Sequence, residues 1–130
     1  MDMLLERLDQ VDSLKSSIRS LVTSWCIDNV KGKSIPLKVY TSASYILSQV
    51  ALDYPNIPLP FIHPTLAGGI HAEWLIKNSW SVEAIFEADG KYLSLLANNI
   101  HTDQDRNYSI SLDKPINTIS RLLGPWLNSF

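Results

Sequence analysis

His63, His71, Glu73, His101, Asp103 and Asp105 are the grouped side chains in this sequence that could ligate a metal. Such a site needs three or four nitrogen, oxygen or sulfur donors converging on one point. By strand alternation His71 and Glu73 share one face, which leaves the set one or two ligands short. The pair therefore reads as solvated strand residues, and neither a metal nor another cofactor is expected. Glu73, Glu83 and Glu87 lie on that same face. Paired carboxylates can divide acid and base roles when one raises the pKa of the other, but only in a concave, partly desolvated site. Lys77 and Lys91 are placed to neutralise these acids across the strands, so no catalytic residue is expected here.

Other chemistries fail on spacing. Gly32-Lys33-Ser34 resembles the tail of a phosphate-binding loop, yet Ile27 stands where that loop needs its first glycine, and a helix pattern precedes it. A helix-ending glycine is the better reading. There is no Gly-x-Ser-x-Gly elbow and no Cys-His arrangement. Cys26 falls on the apolar side of the first helical pattern, beside Trp25 and Val22, where a cysteine acts as a small hydrophobe.

The chain has 130 residues, 45% hydrophobic and 18% charged, with 11 Lys and Arg against 13 Asp and Glu, a formal net charge of −2. That length suits one domain, 1–130, and leaves no room for a second core. Without a basic field, a nucleic-acid-coating role is not expected. The single cysteine allows neither an intrachain disulfide nor a cysteine zinc cluster. Met1-Asp2-Met3 is acidic where a secretory signal would be basic, and no apolar run approaches the ~18 residues of a membrane span. The expectation is a cytoplasmic protein with no membrane contact.

These residues must be positioned by three parts: a helical part over 1–53, a proline-rich strap over 54–69, and a sheet with a last helix over 70–130. Leu4, Val11, Ile18 and Trp25 recur every seven residues, with Leu8, Leu14, Leu21 and Val22 beside them, predicting a helix over 1–30 that stops at Lys31-Gly32-Lys33. A second helix is predicted from Ser34 to Pro36, with Ser34 as cap and Leu37, Tyr40, Ile46, Leu47 and Val50 inward, ending at Pro55. Pro55, Pro58, Pro60 and Pro64 make the next segment extended. Its Ile57, Leu59, Phe61, Ile62 and Leu66 predict that it lies across the domain.

Ile70, Ala72, Trp74 and Ile76 alternate with His71, Glu73, Leu75 and Lys77, and Val82, Ala84 and Phe86 with Glu83, Ile85 and Glu87. Both have the period of half-buried strands. Asp89-Gly90 predicts a type I′ hairpin that sets Glu87 opposite Tyr92 and Phe86 opposite Leu93. The connection over 77–79 must be odd in length, or bulged, to keep the faces in register. A three-stranded antiparallel meander over 69–98 follows, with a fourth strand candidate at Tyr108, Ile110 and Leu112. Asp113 reads as the cap of a last helix burying Ile116, Ile119, Leu122 and Leu123, stopped by Gly124-Pro125. The fold class is α+β: two N-terminal helices, a three- to four-stranded antiparallel meander and a C-terminal helix in two layers.

The stretch from Pro58 through Pro64-Thr65, Gly68-Gly69-Ile70 and Glu73-Trp74 resembles a signature of small uncharacterised bacterial proteins, followed as there by an acidic hydrophobic strand, Val82 to Glu87, and an Asp89-Gly90 hairpin. The similarity covers about residues 55–97. It departs at Leu66-Ala67, where the signature has Pro-Asp. Toxin–antitoxin or defence-operon roles have been suggested for some of those proteins, so the resemblance implies protein binding and no established chemistry. In physical terms the glycines turn the strap into the sheet and Trp74 anchors the strand. Glu73 points away from Trp74, and packing does not explain it.

The expected role is therefore a non-enzymatic interaction module, antitoxin-, immunity- or defence-accessory-like, binding a protein partner. Its candidate contact residues are Glu73, His71, Glu83, Glu87, Trp80, Leu4 and Leu8: the acidic sheet face, a tryptophan at a turn, and the start of the first helix. The alternatives are a small metal-dependent hydrolase using His71, Glu73 and one of His63 or His101, or a homo-oligomeric subunit, a homodimer for instance, held by the first helix. Packing of that helix within the domain is the favoured reading of its stripe.

Overall fold

A computed structural model describes residues 3–21, 26–27, 30–31 and 34–130, with side chains at 5–21 and 34–130. The order is α1 (Met3–Ser20), β1 (Cys26–Ile27), β2 (Val30–Lys31), α2 (Leu37–Asp53), β3 (Phe61–Pro64), β4 (Ile70–Ile76), β5 (Trp80–Phe86), β6 (Tyr92–Asn99), β7 (Asp105–Ser111) and α3 (Ile116–Asn128). The α+β class holds, with a larger sheet than expected. β3 to β7 form one antiparallel meander in chain order. The extra strand is β3, which arises where the strap turns back on the sheet.

The first helix is shorter than its periodicity suggests. α1 ends at Ser20, and Cys26–Ile27 pairs antiparallel with Val30–Lys31. Beyond Ser20 the sequence runs through Val22, Thr23, Trp25, Cys26, Ile27 and Val30, residue types that favour strands over helices. Lys31 of the expected stop is thus in a strand, while Gly32, Lys33, Trp25 and the side chains of Leu4 and Cys26 lie outside the described residues. Val11, Leu14 and Ile18 are buried, so this part of the seven-residue seam is spent on the chain's own core. A homodimer built on it would have to expose that core.

Arg7 ties the helical part together. Its Nε donates to the Ala51 carbonyl at 2.7 Å and its Nη2 to the Ile57 carbonyl at 2.8 Å, joining α1 to the end of α2 and the start of the strap. Burial lowers its pKa from the ordinary value. In α2 the buried side is Val39, Ala43, Ile46, Leu47, Val50 and Ala51, while the expected Leu37 is exposed at the first turn. Neither Ser34 nor Asp113 caps its helix: Pro36 and Pro115 occupy the cap positions without a side-chain bond. Asp113 instead accepts a hydrogen bond from Ser111 Oγ.

The expected stop at Gly124-Pro125 lies inside α3, which continues to Asn128. A proline within a helix removes one backbone bond and crowds the residue before it. Gly124 relieves that crowding, and it also lets the Tyr54 ring lie against the helix. A Cβ at 124 would stand 2.2 Å from Tyr54 Cε2.

The signature turn between β3 and β4 has a structural account. Thr65 N–H donates to the Gly69 carbonyl and Gly68 N–H to the Thr65 carbonyl, each at 3.0 Å, and the Thr65 hydroxyl accepts from Gly69 N–H at 2.8 Å. Gly68 takes a φ of 96°, open to glycine and costly for other residues. Gly69 serves close approach instead, since a Cβ there would stand 2.5 Å from the Phe86 carbonyl oxygen.

The hairpin turns exchange roles relative to expectation. Lys77 and Asn78 both take φ of 53°, and Ser79 N–H donates to the Ile76 carbonyl at 3.1 Å, so the primed turn sits there. The loop 77–79 is three residues long, because Ile76 pairs with Trp80; this is the odd connection that parity demands. At Asp89-Gly90 only the glycine has positive φ, 70°. Gly90 N–H closes the turn on the Glu87 carbonyl, and Asp89 Oδ1 accepts from Lys91 N–H at 2.9 Å. The expected register survives: Phe86 opposes Leu93, and Glu87 N–H donates to the Tyr92 carbonyl.

Ile70, Ala72, Trp74, Ile76, Val82, Ala84, Phe86, Leu93, Leu95, Ala97 and Ile110 project from one side of the sheet and join the buried residues of the three helices in one core. Two layers result, helices on one face of the sheet.

Candidate functional site

Among the described residues, no helix covers the second face of the sheet. Because β4 is flanked by β3 and β5, residues from three strands meet at its centre: His63 pairs with His71, Phe61 with Glu73, and Glu73 with Glu83. Alternation turns all of them to the open side, since their neighbours Ala72, Trp74, Val82 and Ala84 are in the core.

The geometry is a chain of alternating imidazoles and carboxylates. His63 Nε2 lies 3.6 Å from Glu73 Oε2, His71 Nε2 lies 3.9 Å from Glu73 Oε1, and His71 Nε2 lies 3.6 Å from Glu83 Oε1. The two rings are 5.9 Å apart, tilted by 49°. Donor atoms of His71, Glu73 and Glu83 all fall within 4.8 Å of one another. His71 Nε2 is sealed from solvent and has no hydrogen-bond partner, both carboxylates standing just too far away. Glu73 and Glu83 are directly opposed across β4 and β5, an arrangement that costs free energy for like charges. Lys77 and Lys91, expected to neutralise the acids, do not reach them: the ion pairs of Glu73 and Glu83 among the described residues are with histidines alone.

The remaining expected contact residues scatter. Glu87 is at the end of this face, where Ser94 Oγ donates to its Oε1 at 3.2 Å. Trp80 does not stand free at its turn. Its ring packs 4.9 Å from that of Phe130, with the Arg106 guanidinium 5.3 Å over both. Leu8 is exposed on α1, and the Leu4 side chain lies outside the described residues. His101 is engaged elsewhere, its Nε2 3.2 Å from the Asn78 carbonyl across two loops. Of the two histidines considered as a third ligand, it is His63 that joins His71.

Sequence reasoning put Glu83 on the face of Glu73 and named His63 or His101 as a third ligand, but not that Glu83 stands opposite Glu73 and His63 beside His71. The three-residue loop at 77–79 was enough to place Glu83 opposite Glu73, and a hairpin through Gly68-Gly69 would have brought His63 beside His71. Large apolar side chains share the open face: Phe61 is 70% exposed, Leu75 50% and Tyr92 51%. The cluster lies on this surface and does not line the grooves beside α2, such as the one of about 190 Å³ between α2 and α3.

No protein-family model, curated protein or solved structure matches this chain. Among the described residues, no helix is long and apolar enough to cross a membrane.

Proposed function

We propose that the chain is a non-enzymatic interaction module of the antitoxin, immunity or defence-accessory kind, acting in the cytoplasm and docking a basic protein on its open sheet face. One observation carries this reading: Phe61, Leu75 and Tyr92 are half or more exposed on a face whose carboxylates, Glu73, Glu83 and Glu87, have no lysine or arginine counter-ion among the described residues. Exposed aromatic and aliphatic anchors among uncompensated acids suit a partner that brings apolar side chains and Lys or Arg together. Leu8 is exposed on another element, α1, and Trp80, on the core side of β5 by alternation, packs against Phe130, so neither is counted in this contact.

The test begins with capture by the tagged chain from its own host, followed by purification of the captured partner and titration of the two. A basic partner should bind in a fixed ratio, with an affinity that falls with salt and collapses for Glu73→Lys/Glu83→Lys. A partner held equally well by that variant, or no stoichiometric partner, would reject the docking role.

A further inference from the structure

We propose that the centre of the open face is a binding site for one divalent first-row metal ion, Zn²⁺ by its donor set, ligated by His71 Nε2, Glu73 and Glu83, with His63 as the fourth arm. The proposal stands apart from the docking role and does not need a partner.

Three independent features point to a cation here. The first is geometric. Zinc–nitrogen and zinc–oxygen bonds of about 2.0–2.2 Å put neighbouring donors of a tetrahedral shell about 3.3–3.6 Å apart. The separations of 3.9 and 3.6 Å from His71 Nε2 to Glu73 Oε1 and Glu83 Oε1, with all three donors within 4.8 Å of one another, therefore need only small side-chain rotations to close around an ion, whereas His63, 3.6 Å from the other Glu73 oxygen, must swing in to join them. The second is electrostatic: two carboxylates face each other across β4 and β5 with no lysine or arginine paired to them among the described residues, and a divalent ion reverses that repulsion. The third is the state of His71 Nε2. A ring nitrogen shielded from water normally finds a hydrogen-bond partner, and this one has none while pointing at both acids. A neutral imidazole in that position offers its lone pair to a metal.

The donor types narrow the ion. Two imidazoles with two carboxylates suit Zn²⁺ and its borderline neighbours; Mg²⁺ and Ca²⁺ prefer oxygen shells. His63 is the least constrained ligand, with a side chain 53% exposed on the edge strand β3. Binding would clip that short strand to β4 and β5, so the ion should stabilise the edge of the sheet.

The experiment is calorimetric titration of the full chain with Zn²⁺ near neutral pH, beside His71→Gln, Glu83→Gln and His101→Gln, with folding checked by circular dichroism. One ion per chain is expected. Affinity should fall on the order of 100-fold for His71→Gln and Glu83→Gln, a loss at least as large as that for removing a residue that merely orients a ligand. His101→Gln should bind as the parent does. At a hundredfold excess of ion over Kd, the thermal midpoint should rise on the order of 10 °C. Co²⁺ added to the parent chain should give the visible absorption of a four-coordinate nitrogen and oxygen shell, a readout that survives even if a variant fails to fold. Absence of saturable Zn²⁺ binding, binding unaltered by His71→Gln, or a Co²⁺ spectrum like that of the hydrated ion would each overturn the site.

Discussion

The two faces of the sheet are built from the same strands and answer to different physics. On the helix side, Ile70, Ala72, Val82, Ala84, Phe86, Leu93 and Leu95 are fully buried, and each is explained by the core it fills. On the open side, one residue further along each strand, His71, Glu73 and Glu83 sit in mutual strain and Phe61, Leu75 and Tyr92 meet water. Packing does not account for these identities. The contrast teaches where to look for function: at positions whose residue type the fold would tolerate changing.

Deleting the same side chain from each face is the most direct way to break that comparison. Phe86→Ala removes a fully buried ring and should cost about 3–5 kcal/mol, enough to consume much of a small domain's stability. Phe61→Ala, two strands away, should change stability by no more than about 0.5 kcal/mol. Urea unfolding of both variants reads the difference. Comparable losses at the two sites would mean that the open face is covered in solution.

Next in size is Arg7, the one buried cation among the described residues. Arg7→Met keeps most of the volume but strands the Ala51 and Ile57 carbonyls, and should cost about 2–3 kcal/mol. Arg7→Lys should recover only part of this, because one ammonium cannot reproduce the two-pronged donation of a guanidinium. A full rescue by lysine would show that charge, not the fork, holds the strap to α1 and α2. Thermal or urea midpoints suffice for the comparison.

Much of the covered face was legible in the sequence. Strand alternation carries β4 and β5, the Asp89-Gly90 hairpin carries the Phe86–Leu93 register, and face parity alone requires the odd 77–79 loop. The illegible parts share a cause: a local signal overridden by a contact made far along the chain. Four prolines read as a strap, yet the Thr65–Gly69 turn folds residues 61–64 back as β3, with its one proline, Pro64, at the sheet edge where a missing donor is harmless. Gly124-Pro125 read as a stop, yet Tyr54 requires the glycine and the helix absorbs the proline. Arg7 has no role that the apolar periodicity of the first helix would assign, yet two backbone carbonyls from other segments accept its donors. The candidate site suffered likewise. His71 and Glu73 were found by period two, while His63 and Glu83 became neighbours only through the pairing of three strands.

The smallest expected effect is the most discriminating for the open face. Glu83→Gln keeps the shape of the side chain and removes one of two opposed charges, so in metal-free protein it should stabilise the fold by roughly 0.2–1 kcal/mol. Glu87→Gln is the matched control, because Glu87 is removed from the opposed pair and already accepts a hydrogen bond from Ser94. With Zn²⁺ present the order should invert: the parent gains a higher thermal midpoint and Glu83→Gln does not. A midpoint for Glu83→Gln below that of the parent without metal would mean that the histidines already compensate the acids. The repulsion argued between Glu73 and Glu83 would then no longer count toward a cation site.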